Sequence, residues 1–133
     1  MPHFGKTSKR RLETCHQDLQ DLFDEVITVV DCSIIEGHRS QEKQDTYYYD
    51  GKSKVRWPYG KHNGDPSEAV DAAPYLNNAI SWNKYHCIYL AGIVMGIASQ
   101  MKIPIRWGGD WDGDKEPITD QDFQDLVHYE LIL

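Results

Sequence analysis

Twelve consecutive residues, 87–98, run from Cys87 to Ala98 without a charge, and this stretch constrains the chain more than any other. It falls well short of the roughly 20 residues needed to cross a bilayer. It therefore reads as the core helix of a soluble domain, over about 84–101, and no membrane span is expected. Gly92 and Gly96 form a GxxxG inside it, a spacing that predicts close packing against another helix. With 133 residues in all, one such helix and a modest core leave room for a single domain.

Charge narrows the classes further. Lys and Arg total 14 against 21 Asp and Glu, a formal net charge of −7. That excludes nucleic-acid binding by phosphate neutralisation and a polybasic membrane-surface module. The first six residues carry positive charge but lead into no apolar segment, so no secretory signal is expected and the product stays in the cytoplasm unless another agent releases it. Cys15, Cys32 and Cys87 are odd in number, widely spaced and lack a CxxC, which predicts small buried thiols rather than a disulfide framework.

Leu12, Cys15, Leu19, Leu22, Phe23 and Val26 recur at three- and four-residue steps, which predicts one amphipathic helix over 9–25 with Ser8 as its N-cap. The β-branched run 26–35 predicts a buried strand ending at Gly37. Ser40 opens a second helix, 41–49. A polar loop follows over 52–66, long enough in a small domain to be functional. A brief strand, 69–73, carries Asp71 and is closed by Pro74. A connector through Asn77, Asn78 and Asn83 leads to the apolar helix. Strands are expected at 103–107, with Pro104 at its start, and at 127–133, separated by a Gly- and Asp-rich loop over 108–120. Mixed elements without a βαβ rhythm predict an α+β fold, with a small, largely antiparallel sheet flanked by about three helices.

Two of the six histidines stand out. His62 lies in the polar loop nine residues before Asp71, and His128 follows Asp125 by three. A catalytic zinc takes three nitrogen or oxygen ligands and keeps a position open. His62, Asp71 and His128 meet that need, with Asp125 a spare carboxylate. Spacing alone equally allows a solvated loop histidine, a strand-end acid, a cap acid and a half-buried strand histidine. The HExxH pattern is absent. His3, His16 and His86 read as a terminal residue and two helix-surface residues.

Four blocks in order, SIIEGHRS at 33–40, GKHNGDPSEAVDAAPY at 60–75, IRWGGDWDGD at 105–114 and DLVHYEL at 125–131, resemble the M15 family of zinc peptidases. They are most similar to its small phage endolysins, the L-alanyl-D-glutamate peptidases, which share a fold with D-alanyl-D-alanine carboxypeptidases and Hedgehog signalling domains. The resemblance implies one Zn2+ per chain held by His62, Asp71 and His128. It further implies Asp125 as the catalytic acid and base, and Arg39 as the arginine that binds substrate and transition state. Arg39 is also read as a salt-bridge partner of Glu36 or Glu42. Ser67 and Glu68, between two ligands, are expected to order the loop or hydrogen-bond Asp71. Trp107 falls where the family has a cleft wall, or in the core. The family's Ser two places before the first ligand is replaced by Gly60. Asp110, Asp112 and Asp114 alternate as in a calcium loop, but Gln121 stands where its bidentate Glu belongs, so a solvated acidic loop is preferred and Ca2+ is the lesser alternative.

The function implied is hydrolysis of the L-Ala–D-Glu bond of peptidoglycan stem peptides for bacterial lysis. The whole chain, 1–133, would be one monomeric peptidase domain with no wall-binding domain, made in the host cytoplasm and released to the wall by a holin. A D-alanyl-D-alanine carboxypeptidase of the same family and an inactive metal-bearing binding module are the alternatives.

Overall fold

The computed structural model describes residues 2–119, 121 and 124–132. Among them are four helices, α1 (Lys6–Leu12), α2 (Gln17–Val26), α3 (Gln41–Tyr49) and α4 (Lys84–Met101). Five strands join them: β1 (Cys32–Glu36), β2 (Ala69–Leu76), β3 (Ala79–Ile80), β4 (Ile105–Gly108) and β5 (Asp125–Leu131). The sheet runs β1-β2-β5-β4, with β3 paired to the far end of β2, and every pairing is antiparallel. The expected α+β class with a small antiparallel sheet is therefore what the chain adopts. Among the described residues no helix is long and apolar enough to cross a membrane.

One sheet face is apolar. Ile34, Val70, Ala72, Tyr129 and Leu131 meet Leu19, Leu22, Phe23 and Val26 of α2 and Leu90, Ala91, Val94 and Ala98 of α4 in a single core. Phe23 stands edge-on to Tyr129, with ring centroids 5.7 Å apart. All three cysteines are free and buried within this layer, as expected. The opposite face carries the polar residues described below.

Three expected elements differ in ways that have local causes. The helix predicted over 9–25 is two helices. His16 caps the second by accepting the Asp18 N–H at Nδ1, and the break at 13–16 is held open by Ser67, whose N–H donates to Thr14 O and whose carbonyl accepts the His16 N–H. The apolar period survives because both helices bury the same side. Ser8 is not a cap; its Oγ accepts the Ile34 N–H, tying α1 to β1. The predicted strand 26–35 begins six residues late, at Cys32, because Val26 still belongs to the buried stripe of α2 and the helix outcompetes the β-branched run. Strand β2 continues through Pro74 to Leu76; its pairing with β5 ends at Asp71, so a missing N–H at residue 74 removes no bond of that ladder. Asn77 and Asn78, read as a connector, both have positive φ and close a two-residue hairpin onto β3.

Ser40 caps α3 as predicted, accepting the Lys43 N–H. Gly92 and Gly96 do not seat a helix: no atom lies within 4 Å of where their Cβ would be, and both face outward. The buried side of α4 is the stripe Cys87, Leu90, Ala91, Val94 and Ala98 instead.

Candidate metal centre and active site

Asp71 on β2 and His128 on β5 are direct cross-strand partners, so their side chains emerge on the same face of the sheet. His62 reaches them from a 3-10 turn, Lys61–Asn63, fixed where Arg39 N–H donates to His62 O (2.8 Å) and Glu68 N–H donates to Lys61 O (3.0 Å). Asp71 Oδ1 lies 3.1 Å from His62 Nε2 and 3.2 Å from His128 Nδ1. The two imidazoles are nearly perpendicular, with centroids 5.1 Å apart. One donor atom from each residue lies within 4.8 Å of the other two.

The far nitrogens decide which atoms are offered. His62 Nδ1 is 2.7 Å from the Gly37 carbonyl, which only accepts, so Nδ1 carries a hydrogen and Nε2 is the nitrogen turned toward Asp71 and available to an ion. His128 Nε2 is 2.8 Å from Glu130 Oε1, and Glu130 is held in turn by Arg106 Nη2 at 2.7 Å. Metal-binding histidines are oriented in just this manner, by an acceptor behind each ring. The donor set of two imidazoles and one carboxylate fits a catalytic zinc ion and leaves a coordination position free.

Electrostatics agree with the geometry. Burial works against charge on Asp71, but hydrogen bonds from His128 and His62 outweigh it and hold the carboxyl well below the usual range. Burial likewise opposes charge on His128, yet Asp71 and Glu130 push it up to about 9. Glu130 is brought down to about 2, the bonds from His128 and Arg106 overriding its burial. Asp125 shifts the other way. Burial, and then the negative charge of Asp71, raise it, while His128, His62 and Arg39 moderate the rise. A carboxyl raised toward neutrality beside a charged one is the pattern of a proton-transfer group.

Two irregularities in the sheet create this face. On β5, Tyr129 pairs with Trp107 but Gly108 pairs with Asp125, so residues 126–128 bulge against a single step of β4. The bulge re-aims Asp125, which regular alternation would set opposite to His128. It requires glycine at 108, since a Cβ there would sit 2.1 Å from Asp125 O. On β1, Ile34 faces Ala72 while Glu36 faces Asp71, so a bulge at Ile35 turns Glu36 onto the polar side.

The other predicted residues fall into two groups. Arg39 is drawn into the site's rim: its Nε donates to Glu36 in an ion pair, Nη1 donates to Gln44 Oε1 (3.0 Å), and its guanidinium lies 4.7 Å from the Tyr47 ring centroid. The expected salt bridge with Glu36 is present. Ser67 and Glu68 do not touch Asp71. Ser67 Oγ donates to Ala69 O at 2.7 Å and clips the loop to the α1–α2 break, while Glu68 pairs with Lys61 at 3.8 Å. Both order the loop, because the strand carries their side chains away from Asp71. Trp107 belongs to the core, where its Nε1 donates to Leu126 O (2.8 Å) inside the bulge, so it braces Asp125's segment instead of lining a cleft. The aromatic beside the ligands is Trp111, 5.7 Å from the His128 ring.

Gly60 is explained by its neighbour. Its N–H donates to Asn63 Oδ1 (2.9 Å), and a Cβ at residue 60 would meet that oxygen at 2.7 Å, so Asn63 occupies the space a serine side chain would need. Sequence reading missed Glu130, Arg106, Gln44 and Trp111. Glu130 alone had a signal, standing two residues after His128 and hence on the same strand face.

The model of the phage L-alanyl-D-glutamate peptidase family matches residues 1–132. The L-alanyl-D-glutamate peptidase of Escherichia phage T5 is 28% identical over 134 residues, covering 97% of each chain. Among solved structures, the L-Ala D-Glu endopeptidase ChiX of Serratia marcescens has the same fold, with a TM-score of 0.78 at 23% identity over 98% of this chain and 90% of the other. With a family match that spans nearly every residue and a histidine–aspartate–histidine cluster at its centre, the chain belongs to the phage L-alanyl-D-glutamate peptidases.

Proposed function

We propose that this chain is a zinc-dependent endolysin that hydrolyses the L-Ala–D-Glu bond of peptidoglycan stem peptides. The convergence of His62 Nε2, Asp71 Oδ1 and His128 Nδ1, each histidine braced from behind, carries the reading. Family membership supports the substrate and the hydrolytic class. His62, Asp71 and His128 would hold the ion, which supplies Lewis acidity and a water acidic enough to attack at neutral pH. Asp125 takes the proton of the attacking water and returns it to the leaving amine, and its raised pKa suits both halves of that task. The Nη2 of Arg39 makes no hydrogen bond among the described residues, which suits the guanidinium to stabilising the developing oxyanion. Trp111, Glu130 and Arg106 hold His128 in place.

A calcium ion at Asp110, Asp112 and Asp114 is a secondary part of this reading. It is favoured by Asp110 Oδ1, which is buried and has no partner among the described residues. We also assign the chain to a single monomeric catalytic domain, in keeping with its matched extent with the phage T5 relative. Synthesis in the host cytoplasm and passage to the wall through a holin follow from the family's role.

Digesting purified peptidoglycan with the protein, with chelator and after zinc restoration, tests the reading. New D-Glu amino termini that appear only with metal are expected. Free D-Ala would mark a carboxypeptidase, and no product would mark a binding module; either result sinks the proposal.

A further inference from the structure

Three cations crowd one tyrosine beside the active site. Arg39 Cζ lies 4.7 Å from the Tyr47 ring centroid, Lys43 Nζ 5.6 Å and Lys52 Nζ 5.8 Å. Among the described residues Glu36 is the one carboxylate bonded within the group, and it is divided: Oε1 takes Arg39 Nε and Oε2 takes Lys43 Nζ at 2.6 Å. Lys52 makes no ion pair among the described residues. Within this bonded group three cations face one carboxylate, in a chain whose net charge is −7.

The cluster is rigid on one side and open on the other. Gln44, buried at 1% exposure, accepts from Arg39 Nη1 and Asn63 Nδ2 and donates to Ser53 Oγ and Val55 O. It therefore locks α3, the 52–66 loop and the turn bearing His62 into one unit. Lys43 is about half exposed and Lys52 is exposed, which leaves the cationic side accessible to an incoming chain. Its position relative to the chemistry is defined twice. Glu36 is the cross-strand partner of Asp71, and Arg39 N–H bonds the carbonyl of His62. Asp125, which delivers a proton to the leaving nitrogen, lies within the field of Arg39.

That leaving nitrogen belongs to a glutamate. Whichever of its two carboxyl groups carries the peptide onward, the other is a free carboxylate a few bonds from the nitrogen. We propose that Lys43, Tyr47 and Lys52 bind this free carboxylate and make the enzyme selective for glutamate over its carboxamide counterpart. The inference rests on the L-Ala–D-Glu assignment above. An ammonium–carboxylate pair adds the attraction of two opposite charges to the hydrogen bond, which a neutral carboxamide cannot supply. Cations that bracket an aromatic ring are held near it without being neutralised. Lys43, Tyr47 and Lys52 are accordingly specificity residues, with no role in bond cleavage.

A pair of synthetic stem peptides, alike except that the free glutamate carboxylate is replaced by a carboxamide in one, provides the test. Wild type should favour the carboxylate peptide in kcat/KM by about tenfold or more, mostly through KM. The ratio should fall toward one in Lys43→Gln/Lys52→Gln. Lys52→Gln alone, at an exposed position remote from Glu36, should lower it about two- to threefold. Lys43→Arg should retain most of it. Equal cleavage of both peptides by wild type, or an unchanged ratio in the double variant, overturns the proposal. Wild type that cuts neither peptide, and releases no D-Glu termini from whole peptidoglycan, overturns the bond assignment and this inference with it.

Discussion

Among the described residues, two trios of ligand-type side chains bring their donor atoms within 4.8 Å of one another, and they are built in opposite ways. His62, Asp71 and His128 come from a turn and two strands, and each histidine is backed by an acceptor that belongs to yet another part of the chain. Asp110, Asp112 and Asp114 come from five successive residues of one loop. Their oxygens are largely occupied by the loop's own backbone: Asp110 Oδ2 accepts Lys115 N–H, Asp112 Oδ1 accepts Asp114 N–H and Asp114 Oδ1 accepts Glu116 N–H. In the first trio the fold fixes the donors before any ion arrives. In the second, an ion would have to rearrange the loop to gain ligands, at the expense of those turns. Proximity of donors is thus common to both, and preorganisation distinguishes them.

The largest effect should separate the trios outright. Asp71→Ala or His128→Ala should abolish stoichiometric zinc binding and lower wall cleavage by at least about a thousandfold. Asp112→Asn/Asp114→Asn should keep the zinc and, in zinc without calcium, cleave within about twofold of wild type. Metal analysis of the purified variants and release of soluble peptides measure both. Next in size, Asp125→Ala should bind zinc normally while kcat falls by about 10²–10⁴-fold. Retained cleavage would remove Asp125 from the chemistry.

A smaller change sharpens the contribution of bracing. Glu130→Gln keeps every ligand but weakens the acceptor behind His128, and zinc affinity measured against a competing chelator should drop about 10- to 100-fold. The smallest expected effect is on stability. With chelator present, Glu130, lowered from 4.5 to about 2, contributes stability that is present above its unfolded value and is lost as pH falls toward 2. His128, raised from 6.5 to about 9, contributes stability that is complete below 6.5 and is lost as pH rises through 9. The unfolding midpoint should therefore be highest between about 4.5 and 6.5 and decline on the alkaline side. Added zinc should lift that alkaline decline, since metal replaces the proton on His128. An alkaline limb that zinc leaves unchanged would show that His128 is not a ligand.

The sequence made the trio itself legible, because His62, Asp71 and His128 stand in blocks whose order is specific. Helices α3 and α4 were legible too, from Ser40 as a cap and from one long apolar run. What escaped reading depends on contacts between distant residues. The break at 13–16 exists because Ser67, far along the chain, bonds on both sides of it. Asp125 and Glu36 reach the polar face through bulges, which shift alternation by amounts no hydrophobic period records. Arg106 braces Glu130 only because β4 pairs with β5. Trp107 and Trp111 are both aromatic residues of one block, and only the packing sends the first to the core and the second to His128.

Zinc titration of chelator-treated protein, followed by cleavage at the L-Ala–D-Glu bond, addresses the central claim most directly. One equivalent per chain should restore full activity to wild type and to Asp112→Asn/Asp114→Asn, and none to His128→Ala. Restoration in His128→Ala, or its loss in the loop variant without calcium, would contradict the assignment of the catalytic metal to the buried trio.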